Sequence, residues 1–238
     1  MINRAVMNSR LPSSDDLEFF PTPPWATRAL CAFLDKRRLV RGTCWEPCCG
    51  QGHMVHALRE YFEFVAGSDV FDYGKGFPVV DALDPATKVP AVQWVITNPA
   101  FTMAEQIALK VLDAPTFPSL ALLVRSNWAE GETRFHSVFA KRRPTWILQF
   151  SERVPMIEAA WDPEASTATA YAWFVWARGL PFEQTVFDWL PPGQEKKHSR
   201  LRDLDLAIPG EAARRRAAKA EAASEPRSGD LFEERDNG

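Results

Sequence analysis

Short apolar runs that end at or near an acid or an amide recur through the first half of this chain, and amphipathic segments separate most of them. The apolar runs cover residues 44–47, 67–71, 79–83, 92–99 and 119–125. The amphipathic segments cover residues 25–39, 54–65, 103–114 and 131–142. Such alternation is typical of a mostly parallel sheet with helices on both faces. It predicts an α/β, Rossmann-like fold.

The pattern changes from Trp146 onwards. Two β-rich runs, residues 146–150 and 167–179, flank an irregular stretch from Ser151 to Ser166. Two strands that follow each other closely, with no helix between them, favour antiparallel pairing. We therefore expect an antiparallel hairpin at the edge of the sheet.

Composition limits the classes of function. The 238 residues are 46% hydrophobic and carry a formal net charge of -3, which suits one large domain and argues against a uniformly basic nucleic-acid coat. Basic clusters at 141–143 and 196–197 could still form a local patch. No apolar segment reaches the roughly 18 to 20 residues of a membrane span, and the start lacks a secretory signal. We expect a cytoplasmic protein with no membrane partner.

The four cysteines all lie in the first quarter of the chain, and Cys48 and Cys49 are adjacent. This is a poor disulfide framework, so we predict free thiols. The cysteines at 44, 48 and 49 crowd with His53 and His56, which raises the possibility of zinc. No Cys-x-x-Cys pair has a distant second half, and we therefore expect no metal site.

The two ends of the chain differ from its middle. Residues 1–18 are polar, and the stretch from residue 209 is Ala-rich, charged and almost free of large apolar residues. Such a segment cannot bury enough surface to offset its ordering entropy. We expect a flexible N-terminal segment over 1–18, one globular domain over 19–190, and a charged, disordered tail over 191–238. A solvated helix over 214–223 is compatible with that tail.

The glycine turn in EPCCGQG, residues 46–52, is the first motif that carries chemistry. Gly50 and Gly52 let the chain turn sharply between a strand and a helix and let a ligand approach the backbone. About twenty residues later, Asp69 ends a second apolar run, where an acid can accept hydrogen bonds from both hydroxyls of a ribose. Asp81 follows at a place where it can accept from an adenine amine. In this order the motifs favour a nucleoside-containing cofactor, although the dinucleotide glycine pattern is not fulfilled.

These motifs, with TNPAF at 97–101, resemble the class I S-adenosylmethionine-dependent methyltransferases. TNPAF is similar to the Asn/Asp-Pro-Pro-Tyr/Phe motif of the amino-methylating branch, and FFPTPPWATRAL at 19–30 is similar to the segment before the glycine loop in N6-adenine DNA methyltransferases. The later strands resemble those of phage and prophage adenine methyltransferases. The resemblance covers roughly residues 15–180 and implies a methyltransferase domain over 19–190.

The resemblance implies S-adenosylmethionine as cofactor and DNA, through a flipped adenine, as partner. It assigns cofactor contacts to Phe20, Thr22, Pro23, Glu46, Pro47, Gly50, Gly52, Asp69 and Asp81, and catalysis to Asn98, Pro99 and Phe101. The Asn98 side-chain oxygen and the Pro99 carbonyl would each accept one N6 hydrogen, which aims the nitrogen lone pair at the methyl group. Phe101 would stack on the base. Ala100 departs from the motif, because the family usually has a second proline there.

Several alternatives remain open. The same two acceptors could serve an RNA base or a protein glutamine amide, and cytosine N4 is the nearest chemical neighbour of adenine N6. A cytosine C5 reading would use the pair Pro47-Cys48, but that pair lies in the glycine loop. A non-catalytic cofactor-binding protein is a further possibility. The stretch 153–166 with Trp161, and residues 125–128 at a strand end, are candidates for holding the target; the oligomeric state stays open, with a homodimer possible.

Overall fold

The computed structural model describes residues 18–180 and 183–224. Its centre is a seven-stranded sheet in the order β2-β1-β3-β4-β6-β5-β7. The strands are β1 Thr43–Glu46, β2 Phe64–Gly67, β3 Trp94–Thr97, β4 Ser119–Arg125, β5 Trp146–Phe150, β6 Tyr171–Trp176 and β7 Val186–Leu190. The α-helices are α1 Pro24–Asp35, α2 His53–Leu58, α3 Ala104–Leu112, α4 Glu132–Arg134, α5 Gln194–His198 and α6 Glu211–Ser224. A π-helical segment, Phe135–Phe139, continues α4, and 3-10 turns cover Ser126–Ala129 and Leu201–Leu206.

Side chains alternate between two apolar layers. Along β4, Leu120, Leu122 and Val124 pack with α3 on one face, whereas Ala121 and Leu123 pack with α1 and α2 on the other. Both faces of this strand are therefore buried, as its continuous apolar run predicts. The expected Rossmann-like sheet with helices on both faces is confirmed.

Strand direction decides where a ligand can bind. β1, β2, β3 and β4 are mutually parallel, and β5 and β7 also pair in parallel, whereas β6 runs antiparallel to β4 and β5. The carboxyl ends of β1 to β4 therefore meet at one edge, which we call the upper edge. Ligands of open α/β sheets bind in the crevice at such an edge. The start of β5 lies at the opposite, lower edge.

The predicted antiparallel pair is present as β5 and β6, and it lies one strand in from the edge of the sheet. β7, which the sequence analysis did not include, pairs with the outer side of β5. The strand predicted over 79–83 is wrong, because this stretch contributes a single bridge from Val79 to Asp69 and then turns. The helix predicted over 54–65 ends at Leu58, and residues 64–67 form β2 instead.

The segment from 191 to 206, assigned above to the tail, packs against the domain. Arg28 in α1 is fully buried and donates to both carboxylate oxygens of Asp203, each at 2.6 Å, and to Glu60 at 2.7 Å. Burial alone would raise the pKa of Asp203, but the hydrogen bonds from Arg28 and the backbone of Arg200, together with the charge of Arg28, hold that pKa below its usual range. Residues 191–206 are therefore folded onto α1 and α2. The domain division itself, with 1–17 and 225–238 outside the described residues, stays a prediction.

The four cysteines are free thiols. Across the described ranges, no three His, Cys, Asp or Glu side chains are grouped so that they could hold a metal ion. In the same ranges, no helix has both the length and the apolar character that crossing a membrane requires.

Candidate active site

A cleft opens at the upper edge of the sheet, above β1, β2 and β3. It encloses about 730 Å³, a volume that includes space open to solvent. Seven of the twelve residues predicted for cofactor binding or catalysis line it: Phe20, Thr22, Glu46, Pro47, Asp69, Asp81 and Asn98. Residues predicted to contact the cofactor and the predicted catalytic Asn98 thus line one cavity. Ala100, at the departure from the family motif, lines it as well.

Five predicted residues do not line the cleft directly: Pro23, Gly50, Gly52, Pro99 and Phe101. Pro23 is buried and precedes α1, where its carbonyl accepts a hydrogen bond from Ala26. Pro99, which directly follows Asn98, is also buried. The roles given to these residues remain predictions.

The amide of Asn98 has a defined orientation. Its Nδ2 donates to the carbonyl of Phe20 at 2.9 Å and to Oγ1 of Thr22 at 3.0 Å. Because a carbonyl can only accept, the nitrogen must face Phe20, and the oxygen Oδ1 faces away. Within residues 18–180 and 183–224, no donor contacts Oδ1. This oxygen is therefore a free acceptor beside the cleft.

Residues 18–22, which we call the strap, cross the cleft and connect its walls. The Glu18 carboxylate accepts from the backbone N–H of Phe101 at 2.9 Å, and the Phe19 carbonyl accepts from that of Ala159 at 2.6 Å. The strap thus contacts both the loop after β3 and the loop after β5. The sequence predicted that Phe20 and Thr22 contact the cofactor. It did not predict the hydrogen bonds that the strap accepts from Phe101 and Ala159.

The glycine turn brings backbone close to the strap. Gly50 has a φ of +52°, and a Cβ on it would lie 2.1 Å from Cε2 of Phe19. Gly52, with a φ of +87°, caps α2, and a Cβ there would lie 2.7 Å from the ring of Phe77. Both positions therefore require glycine for conformation and for space.

Glu46, at the end of β1, is only 1% exposed and lines the cleft. Its Oε1 accepts from Oγ1 of Thr97 at 3.1 Å, whereas its Oε2 is buried without a partner among the described residues. Burial, together with the nearby charge of Asp69, raises the pKa of Glu46 well above its usual range. A buried acceptor without a donor is costly, so this oxygen suits a cationic or N–H group that enters the cleft.

The two acids that follow differ in their surroundings. Asp69 accepts from the backbone N–H of Gly50 at 2.7 Å and from that of Phe71 at 3.2 Å. Burial raises the pKa of Asp69 despite these hydrogen bonds. Asp81 is exposed and accepts from the N–H of Leu83 at 2.8 Å in a tight turn. Both carboxylates retain unused acceptor capacity toward the cleft.

His53 is a cleft residue that the sequence suggested only as a zinc ligand. Its Nε2 lies 3.0 Å from the carbonyl of Leu206, which fixes the proton on Nε2, and its buried Nδ1 has no partner within the described residues. Burial lowers the pKa of His53 to about 4. No local pattern predicts this neutral acceptor, because its partner lies 153 positions further along the chain.

Phe101 lies beside the cleft in an aromatic cluster. The guanidinium of Arg125 stacks on its ring at 3.9 Å from the centroid, with Phe20 at 5.6 Å and Tyr171 at 6.4 Å. One face of Phe101 is thus covered by a cation from the end of β4. A base that stacks on that face must displace Arg125.

The candidates for target recognition separate into surface and core. Arg125 and Asn127 are exposed, but Trp128 is buried against Phe139, Phe174 and Trp176, so its proposed contact with a target is wrong. Trp161 is also buried, with its ring edge-on to His53. Both tryptophans therefore contribute to packing in the interior.

The cytosine C5 reading is disfavoured at Cys48. Burial, with the nearby Glu46 and Asp69 carboxylates, raises the pKa of its thiol well above the usual range. A nucleophilic cysteine requires the thiolate.

Comparison with solved structures bears on the fold. An assigned RNA methyltransferase from Pyrococcus horikoshii aligns with 72% of this chain and 91% of its own, with a TM-score of 0.51 and 16% identity. The chain shares the fold of that protein. A type I restriction-modification methyltransferase subunit from Streptococcus thermophilus aligns with 90% of this chain at a TM-score of 0.49 and 11% identity, and this chain spans 55% of its length. A class I methyltransferase from Listeria monocytogenes aligns at 0.47 and 14% identity, over 90% of this chain and 74% of its own. No protein-family model and no curated protein sequence matches the chain.

Proposed function

We propose that this protein is an S-adenosylmethionine-dependent methyltransferase that acts on the N6 amine of adenine in DNA. The orientation of the Asn98 amide carries the proposal. Both of its N–H groups are directed to the strap, so Oδ1 is left to accept from an incoming NH₂ group. A strand-ending asparagine that only terminated β3 would not need this arrangement.

The residues of the cleft fit the cofactor. The unpartnered Oε2 of Glu46 suits the ammonium of the methionine part, Asp69 suits the ribose hydroxyls, and Asp81 suits the adenine amine. Gly50 and Gly52 keep the turn beside this cleft tight, because the rings of Phe19 and Phe77 pack where a Cβ would be. When bound, the cofactor supplies an electrophilic methyl group on a sulfonium.

The chain supplies orientation. Asn98 Oδ1 and the Pro99 carbonyl each accept one N6 hydrogen, which draws the nitrogen toward tetrahedral geometry and directs its lone pair. The nitrogen held by these two acceptors would take the methyl group that the bound cofactor supplies and would then lose one proton to solvent. No strong base is required, because the alkylated nitrogen is acidic.

Adenine in DNA is favoured over the other amines by the motif rather than by the fold. The opening Asn-Pro with an aromatic residue at 101 resembles the adenine branch, whereas Ser-Pro-Pro is the commoner opening for cytosine N4. The rings of Phe20 and Phe101 lie near Asn98, and an extruded base that displaces Arg125 would stack on Phe101.

Two substitutions test the role of Asn98. Asn98→Ala removes the acceptor, so we expect the rate of labelled methyl transfer to DNA to fall on the order of 100-fold. Thr22→Val keeps Oδ1 but removes one of the groups that hold the amide, so we expect a loss of about tenfold. Affinity for S-adenosylhomocysteine, measured by calorimetry, should remain within about twofold in Asn98→Ala.

Thr185→Val serves as the control for Thr22→Val. It makes the same chemical change, but Thr185 lies at the lower edge near Ile147. Transfer at the wild-type rate in Asn98→Ala would exclude the proposed catalytic role. Label that enters only RNA or protein in parallel incubations would refute the DNA assignment.

A further inference from the structure

α6 is the most basic helix of the protein. Between residues 211 and 221 it carries Arg214, Arg215, Arg216 and Lys219 against two glutamates. Ala212 is the buried residue of the helix, and the others with described side chains are exposed or partly exposed. Its charge therefore contrasts with the net charge of -3 for the whole chain.

The start of α6 is fixed beside the candidate active site. The backbone N–H of Ala212 donates to Asp162 at 2.9 Å, and Arg215 donates to the carbonyl of Glu158 at 2.5 Å. The loop that accepts these bonds, residues 156–162, begins with Met156, whose sulfur lies 3.6 Å from Nδ2 of Asn98. A rigid connection of only a few residues therefore separates the helix from the proposed catalytic amide.

The cations lie on the side of α6 that faces this loop. Ala212 and Arg215 make the contacts, and Arg216 and Lys219 follow at i+4 from them, on the same stripe of the helix. Among the residues that the structure describes, Arg216 and Lys219 form no ion pair, whereas Arg214 and Arg215 share Glu211. The exposed part of the stripe thus presents two uncompensated positive charges.

The basic cluster at 141–143 lies too far from the cleft to bind DNA that flanks the target base. Residues 141–143 precede β5 and therefore lie at the lower edge, away from the cleft. Arg142 there is paired with Asp113. Unlike residues 141–143, α6 lies on the side of the sheet where a polymer bound at the upper edge can reach it.

We infer that the Arg216 and Lys219 stripe of α6 binds the phosphate backbone of the DNA duplex that flanks the target base. This inference rests on the proposed function. Arg216 and Lys219 are three residues apart in α6, a rise of about 4.5 Å, which is close to the roughly 3.4 Å of duplex axis between successive phosphates of one strand. The contact supplies affinity without sequence information, and so it accounts for binding by a chain whose described residues include no separate recognition domain.

The salt dependence of DNA binding tests the inference. In the double variant Arg216→Gln/Lys219→Gln, the slope of log K against log salt for a fluorescent 24-base-pair duplex should decrease in magnitude by about 2, because each phosphate contact contributes about 1. The matched control Lys141→Gln/Arg143→Gln makes the same change in charge at the lower edge and should leave the slope unchanged. The thermal unfolding midpoints of both variants should equal that of the wild type, because the four side chains are exposed.

Equal slopes in the wild type and the α6 variant would overturn the inference, as would an equal decrease in the control. A decrease that occurs with RNA and not with duplex DNA would overturn it as well. Binding is measured without the cofactor, so the result does not depend on catalysis. Absence of methyl transfer by a wild type that shows the expected slope would instead count against the proposed function.

Discussion

Gly50 shows how one backbone conformation shapes the cleft. Gly74 has a similar φ of +69° but nothing within 4 Å of an added Cβ, whereas a Cβ on Gly50 would meet Phe19 at 2.1 Å. We expect Gly74→Ala to lower the free energy of unfolding by about 1 kcal/mol through strain in the left-handed region. Gly50→Ala should cost at least twice as much, measured by urea denaturation, because it also displaces the strap.

The steric part of the Gly50 effect can be isolated. Phe19→Ala frees the space that a Cβ on residue 50 would need. In a Phe19→Ala protein, Gly50→Ala should therefore lower the free energy of unfolding by no more than Gly74→Ala does. Equal costs for the two glycines in the wild-type background would mean that Phe19 does not pack on the turn.

His53 makes stability depend on pH in a defined direction. Its pKa is lowered to about 4 in the folded protein by burial, against about 6.5 in the unfolded chain. The unfolded state binds more protons between these values, so the free energy of unfolding falls as the pH drops. We expect a loss of about 2 kcal/mol from this residue between pH 7 and pH 5. His53→Gln, which cannot titrate, should show a shallower dependence; an unchanged dependence would contradict the neutral, buried imidazole.

At the element scale, the strands that the sequence predicts best are buried on both faces. β4 and β6 are continuous apolar runs, and β3 ends where proline interrupts the pattern. Their burial needs no information beyond the run itself, because a strand covered by two layers has no polar side.

The elements that the sequence did not predict correctly have local sequences that favour another structure or lack a clear pattern. In residues 79–83, the Asp81 carboxylate accepts a hydrogen bond from the N–H of Leu83 and so forms a turn. This local hydrogen bond outweighs the β propensity of the two valines. β7 keeps Phe187 and Trp189 about half exposed or more, so it lacks the alternation of a half-buried strand. The start of β2 was assigned to the end of a predicted helix, because a short apolar run does not distinguish a helix from a strand.

The docking of residues 198–206 depends on Arg28. Arg28→Met would leave the buried carboxylate of Asp203 without its cation, so we expect a loss of about 3 to 5 kcal/mol in the free energy of unfolding. Arg59→Met, at an exposed site on the end of α2, should change it by less than about 0.5 kcal/mol. Faster tryptic cleavage at Arg200 and Arg202 in Arg28→Met would report release of the segment, and unchanged cleavage would contradict docking by this ion pair.

At the scale of the whole molecule, the sequence predicted which residues meet but not how they are held. The cleft collects Glu46, Asp69 and Asn98 because parallel strands end at a common edge, and this follows from strand order. The orientation of Asn98 follows from partners 76 and 78 positions away, and the docked C-terminal segment from a buried ion pair 175 positions apart. Interactions of that range leave no local pattern.

The central claim is that Asn98 and Pro99 orient an adenine amine for methylation. Its most direct test is mass spectrometry of the nucleosides released from duplex DNA after incubation with the protein and S-adenosylmethionine. We expect N6-methyl-deoxyadenosine with the wild type and its near absence with Asn98→Ala. Methyl groups found only on cytosine, none in the DNA at all, or an undiminished yield with Asn98→Ala would contradict it.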